Sequence, residues 1–328
     1  LFWVGKLGSH AVAALAMGGT ILMLMFPVVM GAATGTVALV SRAVGAGRPD
    51  RASEAAGQSL LVGLLLGLGT GVGAWCLKGL LCRLLGGDPA VLVLAEQYLA
   101  VNFLGAFTVF VLFIGNSALQ GAGNTRLPMA AMLGANLINL ALDPLLIYGL
   151  AGLPRLGVAG AAWATVTAQA AAACWIVYRL SRGAAGLKVA FEAWRLRAGL
   201  AWTLLKIGAP SSAQMASRGL MSLVLMRLVA ACGTAAVAGY GIGLRFHMIV
   251  LMPAFVLGNA AATMVGQNLG AGQYRRARAA AWLATGIDAA IMAASAILLL
   301  ALARPLVAWF DPSPEVVEVG AAYLRTVS

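Results

Sequence analysis

Residues 9–33 read SHAVAALAMGGTILMLMFPVVMGAA, a stretch without one Lys, Arg, Asp or Glu. An α-helix rises about 1.5 Å per residue, so a run of roughly 20 apolar residues crosses the hydrocarbon of a bilayer. Inside hydrocarbon every backbone N–H and C=O must be bonded within the protein, which leaves only helices or closed barrels. Runs of this kind recur along the chain. They predict spanning helices near 9–33, 54–82, 94–117, 128–150, 157–180, 200–229, 235–263 and 278–303, with a ninth beginning near 317. The alternating segments of about ten residues that mark a barrel are absent. Composition agrees. Only 10% of the 328 residues are charged and mean hydropathy is +0.93, whereas a water-soluble domain has roughly a quarter of its residues charged. The expected fold is an all-α membrane protein.

Two polar islands interrupt the apolar runs. VSRAVGAGRPDRASEAA spans residues 40–56, and VGQNLGAGQYRRARAAA spans 265–281. At an offset of 225 residues Gly8, Ala11, Val12 and Ala13 align with Gly233, Ala236, Val237 and Ala238. Gly45-Ala46-Gly47 align with Gly270-Ala271-Gly272, Arg51-Ala52 with Arg276-Ala277, and Tyr98-Leu99 with Tyr323-Leu324. Two homologous halves are therefore written in one chain, as in many transporters. The helix at 200–229 opens the second half, and its counterpart would precede residue 1. The expectation is a chain cut at both ends from a protein of two six-helix bundles, here with about eight full spans and the start of a ninth. The N-terminal bundle would cover 1–182, a linker 183–199, and the C-terminal bundle 200–328.

The formal net charge is +12, but the basic residues sit in short clusters between apolar runs. That is the positive-inside pattern, not a nucleic-acid surface. One set of loops carries Arg42, Arg48, Arg51, Arg126, Arg179, Arg182, Lys188, Arg195, Arg197, Lys206, Arg275, Arg276 and Arg278, and the opposite set only Lys6, Lys78, Arg83, Arg155 and Arg304. The first set is placed in the cytoplasm, so the expected location is the inner (plasma) membrane, multi-pass, with lipid as a partner. VAFEAWRL, in the linker, reads as a short amphipathic segment at the interface. Cys76, Cys82, Cys174 and Cys232 lack ligand spacing and serve as small apolar residues.

Asn136, Asn139 and Asp143 are spaced i, i+3, i+7 and share a helix face. A carboxylate in a spanning helix costs about 2.5–3.5 kcal/mol on insertion scales, so it implies a use or a partner. Pro144 follows it and frees the Leu140 carbonyl. Oxygen ligands of this kind suit Na⁺ or a proton. The alternative is that Asp143 only bonds neighbouring helices. Asp288 is a second intramembrane carboxylate, for which pairing with a cation such as Arg218 or Arg245 is expected. No HExxH, Asp-rich pair or Ser/His/Asp set is present, which disfavours an enzyme. Two homologous bundles suit alternating access better than a channel.

LFWVGKLGSHAVAAL, ALQGAGNTRLPM, DPLLIYGLAGLPRLGVAGAAWATV and MVGQNLGAGQYRRARAAA, in that order, resemble the multidrug and toxic compound extrusion (MATE) family. The resemblance covers nearly the whole chain. It implies two six-helix bundles around a central cavity and exchange of Na⁺ or H⁺ for organic cations and other amphipathic compounds. The stretch IGAPSSAQMASRGL is more similar to the DinF-like branch, and Arg218 stands where NorM-like members carry a Glu. The resemblance also assigns Asn139 and Asp143 to cation coupling and turns Thr165 toward the same site. A further family aspartate would fall immediately before Leu1. The expected function is a cation-coupled exporter acting as a monomer on a small-molecule substrate, with no cofactor beyond the coupling ion. A lipid-linked oligosaccharide flippase of related fold is the alternative.

Overall fold

The 225-residue periodicity sets where the helices begin and end. The computed structural model describes residues 2–152, 154–189 and 195–327, and all regular structure among them is helical. In chain order the helices are α1 (Phe2–Gly5), α2 (Ser9–Leu22), α3 (Phe26–Gly45), α4 (Pro49–Leu85), α5 (Pro89–Leu104), α6 (Ala106–Gly121), α7 (Arg126–Tyr148), α8 (Gly157–Ser181), α9 (Ala198–Ala231), α10 (Thr234–Gly270), α11 (Tyr274–Ala308) and α12 (Pro314–Val327). A 3-10 turn at Met23–Met25 joins α2 to α3. Ser9 and Thr234, Gly45 and Gly270, Pro49 and Tyr274, and Pro89 and Pro314 are each 225 apart, so four boundaries repeat in register.

The two polar islands fold identically. In the first, the N–H groups of Ala46, Gly47 and Arg48 donate to the carbonyls of Arg42, Val44 and Ala43. In the second, those of Ala271, Gly272 and Gln273 donate to Gln267, Leu269 and Asn268. This is a Schellman end, which needs a left-handed residue. Glycine supplies it both times, at φ 66° for Gly47 and φ 70° for Gly272. The packing repeats too. A Cβ on Gly18 would strike the Tyr98 ring, and one on Gly243 would strike Tyr323, 225 residues later in both cases.

Six helical stretches are long and apolar enough to span a membrane, or seven if α5 and α6, bent by 48°, count as one. The bent pair covers the span expected at 94–117. The segment expected at 200–229 is present as α9, but Lys206, Gln214, Arg218 and Arg227 make it less apolar than the six. Leu65, Leu68 and Val72 of α4 are exposed, as lipid-facing side chains are, since lipid tails are as apolar as leucine.

The chain divides into two compact units, Leu1–Gln214 and Met215–Ser328, with the division inside α9. The core of the first is built from Leu60, Leu112, Ile114, Leu119, Ile176 and Leu180. Gly63, Gly67 and Gly71 bring α4 close to α6, because Cβ atoms there would meet Ile114, Phe107 and Phe103. Such small residues replace the hydrophobic drive that is missing between helices in lipid. In the second unit Leu299, Ala303, Val307, Val316, Ala321 and Leu324 form the core. Of the expected amphipathic segment, residues 190–194 lie outside the described residues.

Candidate functional site

The site is built on α7, α8 and α5 of the first unit. Gly160 brings α8 onto α7: a Cβ there would lie 2.5 Å from the Leu146 carbonyl oxygen. The Leu156 N–H donates to that same oxygen at 3.0 Å. This close approach sets the register in which the helices run side by side, and it brings Thr165 to Asn139. Asn139 Nδ2 donates to Thr165 Oγ1 at 3.3 Å, and Thr165 Oγ1 donates to the Ala161 carbonyl at 3.0 Å. The threonine therefore makes both the bond within its own helix and the bond between helices.

Asp143 lies one turn along α7 from Asn139 and is half-buried. Asn136, one turn the other way, is exposed. Thus Asn139, Thr165 and Asp143 are gathered, and Asn136 stands at the outer edge of their face. α7 runs through Pro144 to Tyr148 and ends on left-handed Gly149. Pro144 has no N–H to give Leu140, so that carbonyl is open. Asn139 commits its Nδ2 to Thr165, which leaves its Oδ1 as an acceptor. Carboxylate, amide oxygen, hydroxyl and carbonyl are the hard oxygens that bind Na⁺ or relay a proton.

Two aromatic residues were not in the expected set. Tyr98 of α5 is within charge-interaction range of Asp143 and packs in the cluster of Val4, Ile147 and Val158. Its signal in the sequence was its place in the repeat, opposite Tyr323. Tyr148 reads from sequence as an interfacial anchor, but its hydroxyl donates to the Trp3 carbonyl at 2.6 Å, tying α7 to α1.

The expected pairing of Asp288 does not occur. Among the described residues the ion pairs are His10 with Asp88 and Arg197 with Glu54. Asp288 Oδ1 is buried without a hydrogen-bond partner, and Arg218 and Arg245 point their exposed side chains elsewhere. Its repeat counterpart is Gly63, which packs on Ile114.

Residues 1–145 and 210–328 match the MatE family. The chain belongs to the MATE family. It is 30% identical over 326 residues to a protein named FAD transporter from Shewanella oneidensis, covering 98% of this chain and 72% of that one. It is 29% identical over 328 residues to multidrug resistance protein PmpM of Pseudomonas aeruginosa, covering 98% and 68%. The crystal structure of a point mutant of the Vibrio cholerae MATE transporter VcmN superposes with a TM-score of 0.88 at 26% identity, over 98% of this chain and 72% of that one. A MATE protein is a multi-pass membrane transporter and not an enzyme. None of these three proteins is named as an oligosaccharide flippase, and that alternative finds no support.

Proposed function

We infer that this MATE chain exports amphipathic organic compounds, organic cations among them, across the cytoplasmic membrane in exchange for H⁺ or Na⁺. Asp143 carries the coupling ion. The supporting observation is the grouping of Asp143 with Asn139, Thr165 and Tyr98 on three packed helices of an otherwise apolar bundle. Cation binding or protonation at Asp143 removes a charge that burial disfavours, biasing these helices toward one of two arrangements. Substrate bound to the other arrangement is then released, which is the reciprocal linkage an antiporter needs. Asn136 lines the approach, and the Met17, Met23, Met25 and Met30 side chains offer a pliable apolar surface for varied ligands. The two bundles meet in sequence at the 183–199 linker, and the transporting species is a monomer embedded in lipid. Arg218, in the place of a carboxylate, supports the DinF-like branch and a single coupling site in the N-terminal bundle.

The test uses purified chain in liposomes with a fluorescent lipophilic cation inside. An imposed pH gradient, or a Na⁺ gradient at constant pH, should drive its movement. The gradient that works names the ion. Leakage at the protein-free rate under both would refute the exporter reading.

A further inference from the structure

The cytoplasmic half of the first unit is closed along a seam that the candidate site does not use. α3 presents Gly31 and Gly35, and α9 presents Leu204, Gly208 and Ser212, each at four-residue spacing on one helix face. The backbones nearly touch. A Cβ on Gly31 would lie 2.7 Å from the Gly208 carbonyl oxygen, and one on Gly208 would lie 2.5 Å from that of Gly31. A Cβ on Gly35 would lie 2.7 Å from the Leu204 carbonyl oxygen. Small residues four apart allow this approach.

A clasp lies beside the seam, where the chain enters α9. Gln58 of α4 is 1% exposed and uses both ends of its amide on the incoming backbone. Its Nε2 donates to the Arg195 carbonyl at 2.7 Å, and its Oε1 accepts from the Arg197 N–H at 2.9 Å. Ser53 Oγ accepts from the Lys188 N–H at 2.9 Å, and the Arg197 guanidinium pairs with the Glu54 carboxylate. Bundle packing does not require these groups. At 225 residues on, Ser53, Glu54 and Gln58 become Arg278, Ala279 and Leu283, while Gly31 and Gly35 become Val256 and Ala260. The seam and the clasp belong to one half only.

By the repeat α9 opens the second homologous half, yet its first turns pack on α3 of the first. In alternating access such contacts on one side of the membrane must part in every cycle. We propose that the Gly31–Gly208 crossing, fastened by the Gln58 clasp, is the cytoplasmic gate of the transporter, and that it is shut in this structure. The proposal rests on the exporter reading and on α9 belonging to the second half. A glycine crossing suits a gate because no side chains interlock. The clasp suits one because its amide and carbonyl groups exchange protein partners for water at small net cost.

The test is thiol labelling, with no substrate present. Leu204, 1% exposed, becomes the reporter as Leu204→Cys. The exposed Cys76, Cys174 and Cys232 are replaced by alanine, and buried Cys82 is kept as an internal control. A membrane-permeant maleimide should modify the reporter thiol at position 204 slowly. Adding Gly31→Ala drives a Cβ into the Gly208 carbonyl, and the labelling rate should rise by roughly ten-fold with Cys82 unchanged. Gln58→Leu leaves the crossing intact and should raise the rate less, which keeps the test decisive if Gly31→Ala does not fold. An unchanged rate at position 204, or a parallel rise at Cys82, would overturn the gate. Faster labelling in a chain that moves no compound would uphold the gate and refute the exporter reading alone.

Discussion

Replacing Gly160 by alanine adds one methyl group where α8 meets the backbone of α7. The new Cβ would lie 2.5 Å from the Leu146 oxygen, 2.6 Å from its carbonyl carbon and 2.9 Å from the Ile147 nitrogen. None of these atoms can rotate away. Ordinary contact is near 3.5 Å, so the helices must part by about 1 Å. Overpacking of this kind costs about 1–3 kcal/mol. The Asn139–Thr165 bond begins at 3.3 Å and does not survive such stretching. Its loss adds about 0.6 kcal/mol, the typical value for such a bond in a membrane bundle. The expected destabilisation is about 2–3 kcal/mol, read by equilibrium unfolding in mixed detergent micelles. Gly134 is the control: it lies on α7 with nothing within 4 Å. Gly134→Ala should be neutral or stabilising by up to about 1 kcal/mol, the difference in helix propensity. Equal stability of Gly160→Ala and Gly134→Ala would refute the register argument for the site.

The two hinges should respond alike: Gly47→Ala and Gly272→Ala each force a left-handed alanine at a cost of about 1–2 kcal/mol, and the same unfolding assay should give them matching losses. A cysteine at Arg48 or at Arg276 should react with an impermeant thiol reagent only from the cytoplasmic side, and reaction from outside at either would reverse the topology.

The helices were legible because apolar runs leave no alternative in lipid, and the hinge was legible because its glycines and arginines recur at a fixed offset. The break at Gly105 was not. A glycine inside an apolar run is silent in hydropathy, and only the structure shows Gly105 wedged against Val166 where α5 turns into α6. Asn139, Asp143 and Thr165 were legible as polar residues in apolar helices. Their meeting depends on Gly160, whose role is backbone contact and leaves no chemical trace in the sequence. The pairing expected for Asp288 failed for a related reason: charge balance along a chain does not say which helix faces which.

Asp143→Asn tests the central claim most directly. The amide keeps the shape of the carboxylate and removes its charge and its titration. Substrate binding by the variant should stay close to that of the parent, while export of a fluorescent cation driven by a pH or Na⁺ gradient in liposomes should fall to the protein-free rate. Gradient-driven exchange by Asp143→Asn at the parent rate would contradict the account and place the coupling ion elsewhere.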